Sequence, residues 1–234
     1  MKPVSTPDRP DPRWKGLYRA AVAAVAAMLV IMVAQIVIFA AWPPPQTVAG
    51  FFELFQRNRL LGLLSMDLLY ILNNSVLMLI YLALYAALRK GAESASLAAL
   101  VLGLVGVAAY FASNTGFEML AISGQYAAAA GEAQRTALLG AGEALLAIYR
   151  GTAFDTYYVL NAAALLIFAV VILRGRLFTR ATGWWGLAAG VLMIVPSTAG
   201  ALGLVFSLAS LVPWAVFAVM IARQFRRFTA LAGG

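Results

Sequence analysis

Six apolar runs, near residues 17–42, 60–88, 95–115, 153–173, 183–199 and 201–222, partition this 234-residue chain. A hydrocarbon core of about 30 Å is crossed by roughly 17–25 helical residues, and each run falls near or within that length. The composition agrees, with 63% apolar and 11% charged residues and a mean hydropathy of +0.88. Soluble domains average roughly 45–50% apolar and 25% charged residues, so a water-soluble core cannot absorb this sequence. The chain reads as all-α, a polytopic membrane protein with six transmembrane helices and amphipathic helices on its outer surface.

The basic residues orient the spans. All but four of the 17 fall where one threading puts them in the cytoplasm: Lys2, Arg9, Arg13, Lys15 and Arg19, then Arg89 and Lys90, then Arg174, Arg176 and Arg180, then Arg223, Arg226 and Arg227. Arg57, Arg59, Arg135 and Arg150 are left for the opposite side. The expected location is the bacterial cytoplasmic (inner) membrane, with both termini cytoplasmic. A net charge of +8 carried in short inter-span loops, not as a stripe on one folded face, speaks for topology and attraction to membrane lipids and against nucleic acid.

Along the chain, residues 1–16 hold Pro3, Pro7, Pro10 and Pro12 and are expected to form a mobile cytoplasmic tail. Residues 17–228 form a single six-helix domain, and 229–234 a C-terminal tail. The first apolar run is too long for a signal h-region and is bracketed by Trp14 and Trp42, so a retained span is expected. Pro43, Pro44 and Pro45 end it, and Phe51, Phe52, Leu54 and Phe55 mixed with Glu53, Arg57 and Arg59 predict an interfacial helix. A cap over about 116–152 is expected to hold one or two outer-surface helices. Pro196 and Gly200 mark a tight hairpin between the fifth and sixth spans, and Pro213 predicts a kink in the sixth.

Polar residues inside spans carry whatever chemistry the chain has, because an ionisable group in the membrane costs several kcal/mol and is normally aimed at a cavity or partner. Asp67, Tyr70 and Asn74 share one face of the second span, with Asn73 on its shoulder. Tyr110, Asn114 and Glu118 share a face at the end of the third if the helix persists. Asp155, Tyr158 and Asn161 open the fourth. Two readings stand: these groups hydrogen-bond one another, with Arg135 or Arg150 neutralising a carboxylate, or they line an outward-facing pocket between spans two, three and four. Asp67, placed about 10 Å deep by its position in the second run, is expected to face inward.

Catalytic motifs fail on inspection. Histidine and cysteine are both absent, which excludes thiol chemistry, a histidine base and most zinc, copper and haem sites. Gly140-Ala141-Gly142-Glu143-Ala144-Leu145 lacks the third glycine of a dinucleotide loop, Asn73-Asn74-Ser75 lies at bilayer depth, and no lysine lies in mid-span. An Asp67 and Glu118 pair has the groups for acid and base work, but no spacing demands it. No catalytic residue, metal or cofactor is assigned, and the balance leans away from an enzyme.

Gly186 and Gly190 form a G-x-x-x-G pair in the fifth span that lets a neighbouring helix approach closely, within one chain or across a homodimer seam. The turns Leu88-Arg89-Lys90-Gly91 and Leu173-Arg174-Gly175-Arg176 are faintly alike, too little for an internal repeat.

The stretch from about 153 to 228 contains Tyr157-Tyr158-Val159-Leu160-Asn161, Leu173-Arg174-Gly175-Arg176-Leu177-Phe178-Thr179-Arg180-Ala181-Thr182-Gly183-Trp184-Trp185-Gly186 and Ile221-Ala222-Arg223-Gln224-Phe225-Arg226-Arg227. It resembles a family of bacterial six-helix integral membrane proteins described only as a domain of unknown function. The resemblance implies a fold and lends no functional residues. Two functions follow from the residues: binding or transport of a small ligand or lipid in the outward pocket, or a structural or accessory subunit docking on other membrane proteins.

Overall fold

A computed structural model describes residues 11–231, and among these every element is helical. The expected tail therefore lies outside the described residues over 1–10, as does 232–234. Asp11 caps a short 3-10 turn, Pro12–Trp14, by accepting the Arg13 N–H at 3.1 Å. Its carboxylate pairs with the guanidinium of Arg13 at 3.0 Å and of Arg89 at 3.6 Å. The Arg13 hydrogen bond holds that carboxyl down at about 2.

Helix α1, Lys15–Ala41, ends before the three prolines, whose missing N–H groups and fixed φ cannot continue it. Thr47 then caps α2, Val48–Arg57, accepting the Gly50 N–H at 3.2 Å. The buried side of α2 is Val48, Phe51, Phe52 and Phe55, an i, i+3, i+4, i+7 stripe. Asn58 closes α2 and caps α3, Arg59–Ser65, through its side-chain oxygen, 2.9 Å from the Leu61 nitrogen.

Helix α4, Leu68–Ser113, bends at Ala92, whose ψ of 63° is not helical. The turn expected near 89–94 is thus a single interrupted residue. Helices α5, Gly116–Ala128, and α6, Glu132–Tyr149, occupy most of the region expected to form a cap. Helix α7 is Thr152–Arg174, α8 is Arg180–Leu192 behind a Thr179 cap, and α9 is Gly200–Leu231. Where a span was expected over 183–199, α8 begins earlier and stops at Leu192. Pro196, with no N–H to donate and a restricted preceding residue, sits in the non-helical 193–199 link. Helix α9 passes through Pro213 without a break and continues to Leu231, beyond the 201–222 run expected to span.

Four helical stretches, Pro12–Ala41, Leu68–Ala128, Glu132–Arg174 and Gly200–Ala230, are long and apolar enough to cross a membrane. Their outward faces are apolar too: Leu202, Val205, Leu208 and Val212 on α9 are each more than half exposed. Water does not tolerate a continuous stripe of that kind on a monomer, and lipid does.

The chain forms two compact units. One comprises the residues through Leu29, Ser75–Ala108 and Tyr157–Gly234. Its core holds Tyr18, Ile80, Tyr81, Phe168, Phe217 and Phe225, with Tyr18 stacked on Phe225 at 5.5 Å and Tyr81 on Phe168 at 5.9 Å. The other comprises Val30–Asn74 and Ala109–Thr156, and its core is Phe51, Phe52, Phe55, Met66, Met119 and Leu146.

Candidate functional site

Within the second unit the junction of α3 and α4 turns on one residue in an unusual backbone conformation. Helix α3 closes at Met66, whose N–H donates back to the Gly62 and Leu63 carbonyls at 3.2 and 3.1 Å. Asp67 follows with φ 62° and ψ 28°, the one left-handed non-glycine among the described residues. Aspartate accepts this conformation more readily than most residues, and the cost elsewhere is about 1–2 kcal/mol. Asp67 is the N-cap of α4, with its carbonyl accepting the Tyr70 and Ile71 N–H groups at 2.9 and 3.2 Å. Its side chain makes no cap. Instead Asp67 Oδ2 accepts the Tyr149 hydroxyl at 2.5 Å, linking the α3–α4 break to the end of α6.

Side chains from elsewhere in the chain donate to carbonyls at that break. Gln35 Nε2 donates to the Leu64 carbonyl at 3.2 Å, and Asn114 Nδ2 to that of Met66 at 2.8 Å. Asn114 Oδ1 accepts the Gly116 N–H at 3.1 Å, so one amide joins the end of α3 to the start of α5. Asn74 Nδ2 donates to the Tyr70 carbonyl at 3.0 Å.

These bonds orient the Gln35 and Asn74 amides and leave their oxygens over. Gln35 Oε1, Ser65 Oγ, Asn73 Oδ1 and Asn74 Oδ1 are buried with no hydrogen-bond partner. Each such buried polar atom costs roughly 1–3 kcal/mol unless water, an ion or a ligand meets it. Three of the four are amide oxygens, which can only accept, whereas the Ser65 hydroxyl can also donate. Among the described residues no group of three or more acidic residues converges as a metal-ligand set.

The model of the family described as Domain of unknown function (DUF4386) matches residues 19–225 of this sequence. The chain belongs to that family. No curated protein and no solved structure matches it. Membership in DUF4386, taken with the apolar helices, marks a membrane protein without assigning an activity.

The residues expected to form one pocket fall into both units. Asp67, Tyr70, Asn74, Tyr110, Asn114, Glu118 and Asp155 belong to the second unit, and Tyr158 and Asn161 to the first. Asp67 and Tyr70 do not continue a helix from residue 60, because α3 breaks beneath them; α4 from Leu68 to the Ala92 bend is by itself about 36 Å long at 1.5 Å per residue, so Asp67 sits at its end and not several residues inside. Tyr110 is buried with its ring 6.2 Å from that of Phe154. Glu118 is exposed, since the helix ends at Ser113 and α5 restarts with a different phase. Asp155 is half-buried in the first turn of α7. Arg135 lies over the Tyr126 ring at 6.0 Å, and Arg150 is exposed.

In the first unit, Asn161 is fully buried, accepts the Tyr81 hydroxyl at 2.6 Å and donates to the Tyr157 carbonyl at 3.0 Å. Gly106 makes room for it, since a Cβ there would sit 2.3 Å from Asn161 Nδ2. Tyr158 shares a 2.9 Å hydrogen bond with Ser207.

Sequence reasoning missed Tyr149, Gln35, Ser65 and Tyr81. Gln35 had a readable signal, being an uncharged hydrogen-bonding group deep inside a 27-residue apolar helix. Tyr149 had none, because it lies in the region assigned to the outside of the membrane.

Proposed function

We propose that this chain is a six-span, multi-pass protein of the bacterial inner membrane, with both termini cytoplasmic, that binds a small ligand through the acceptor-rich cluster around Asp67 on the outer side. The ligand class is one that brings hydrogen-bond donors, an ammonium or a polyhydroxylated group on a small molecule or lipid. The observation carrying this reading is that the amide oxygens of Asn73 and Asn74, in the first two turns of the helix that Asp67 opens, are buried with no donor to meet them. A site built only for packing would pair these oxygens or replace them with apolar groups. The six spans are α1, the two arms of α4 on either side of Ala92, α7, α8 and α9. Helix α8, about 20 Å long at 1.5 Å per residue, needs the 193–199 link to complete its crossing.

Topology comes first. A periplasm-inactive reporter fused after Gly234 or within 89–93 is expected to be active, and one inserted within 125–145 inactive. The reverse pattern at either cytoplasmic site removes the orientation.

The binding reading is tested by a high-resolution map of the protein extracted with its native lipids. Non-protein density within hydrogen-bond distance of Asn73 or Asn74 supports it, and so does loss of that density in Asp67→Asn. Water alone at these oxygens, together with copurifying membrane proteins, would move the assignment to an accessory subunit.

A further inference from the structure

The turns Leu88–Gly91 and Leu173–Arg176 both contribute residues to one cleft in the first unit. It has a volume of about 550 Å³, a size typical of small-molecule sites. The Ala92 bend in α4 supplies one wall through Leu88 and Gly91, and the end of α7 with the link to α8 supplies the other through Ile172, Arg174, Arg176 and Phe178. Exposure is graded across it: Leu88, Ile172 and Phe178 are buried, whereas Gly91, Arg174 and Arg176 are exposed. The floor is therefore apolar and the mouth cationic.

The walls are fixed. Gln224 Nε2 donates to the Leu177 carbonyl at 2.7 Å, and Phe178 packs edge-on against Phe225 and Phe228 at 6.0 and 5.7 Å. The cations at the mouth are uncommitted. Arg89, on the same bend, shares the Asp11 carboxylate with Arg13 at 3.6 Å, but neither Arg174 nor Arg176 has an acidic partner among the described residues. Glu93 lies on the bend and does not line the cleft.

We infer that this cleft holds an anionic phospholipid of the cytoplasmic leaflet, its phosphate at Arg174 and Arg176 and the first part of an acyl chain over Leu88, Ile172 and Phe178. An apolar floor under an unpaired cationic rim matches a molecule with both a chain and a phosphate, and a free phosphate has no use for the floor. The assignment rests on the proposed cytoplasmic location of the 174–180 turn and is independent of the Asp67 cluster.

The test is native mass spectrometry of delipidated protein titrated with phosphatidylglycerol or phosphatidylcholine. Wild type is expected to retain phosphatidylglycerol preferentially. Arg174→Gln with Arg176→Gln should cut that preference about 30-fold, from roughly fivefold per basic residue at an anionic surface. Arg135→Gln with Arg150→Gln should leave it within about twofold. Gly91→Phe, at a position where an added Cβ meets no atom within 4 Å, adds bulk at the mouth without changing charge and should lower retention of the lipid. Equal retention of the two lipids, equal losses from both arginine pairs, or displacement by millimolar inorganic phosphate overturns the inference. If the reporters place 89–93 outside, the topology has failed, whereas a lipid preference that survives the Arg174 and Arg176 changes removes the cleft alone.

Discussion

Asp67→Leu is expected to lower the apparent Tm of the detergent-solubilised protein by about 10 °C. Two losses add. The Tyr149 hydroxyl forfeits a charge-assisted acceptor, about 1.5–3 kcal/mol, and leucine at φ 62° costs about 1–2 kcal/mol where aspartate is tolerated. A total of about 2.5–5 kcal/mol converts at roughly 2–4 °C per kcal/mol for a chain of this length. Three companions separate the parts. Tyr149→Phe leaves the backbone at Asp67 as it is and takes away the donor to its carboxylate, and should cost about half as much. Asp67→Gly also removes that hydrogen bond but suits the left-handed backbone, so it should resemble Tyr149→Phe. Asp67→Asn keeps an acceptor oxygen and a tolerated backbone and should remain within about 3 °C of wild type while removing the charge. Ligand binding lost in Asp67→Asn at unchanged Tm therefore speaks for a binding role. If Asp67→Leu and Asp67→Asn melt alike, neither backbone strain nor the tyrosine bond matters as described.

The all-helical architecture and the breaks at Pro43 to Pro45 and Pro196 were legible because they follow from residue-level rules. Apolar content forces helices to satisfy their own backbone groups, and proline cannot donate. The α2 stripe was legible through the 3.6 period of Phe51, Phe52 and Phe55. The α3–α4 break was not. Leu60 to Leu79 reads as one apolar run, and a single left-handed residue leaves no periodicity signature, since aspartate in mid-run reads equally as a buried functional group. That break also rephased the candidate site. Tyr70 and Asn74 remain on α4 with Asp67 at its cap, but Glu118 loses its place because a second break at Asn114 and Thr115 interrupts the face it was assigned to. Asn161 was legible as a buried polar group. Its partner Tyr81 comes from a different helix, and such pairings depend on tertiary contact, which no single-sequence pattern encodes.

Gly186→Leu should destabilise more than Gly190→Leu, although the closest approach is nearer at Gly190. A Cβ on Gly190 would meet the Leu166 side chain at 2.8 Å, and Leu166 is half-buried with a flexible end that can swing aside. A Cβ on Gly186 would meet Phe217 at 3.0 Å and Ala169 at 3.1 Å, residues 1% and 0% exposed, neither with a free rotamer to adopt. Relief there requires α8 to move away from α7 and α9, forfeiting the close approach that packs helices in lipid, where no hydrophobic term drives association. Overpacking costs about 1–3 kcal/mol where a neighbour yields and more where it does not. Gly186→Leu is thus expected to lower the apparent Tm by about 10 °C or more, and Gly190→Leu by about 5 °C. Gly140→Leu, on α6 with open space around it, should be neutral or slightly stabilising. Thermal melts with light scattering on the same samples decide between packing partners. A lowered Tm in a particle of unchanged mass supports the contacts within one chain, whereas a halved mass at unchanged Tm would make Gly186 part of a seam between two copies and refute the Phe217 contact as its energetic role.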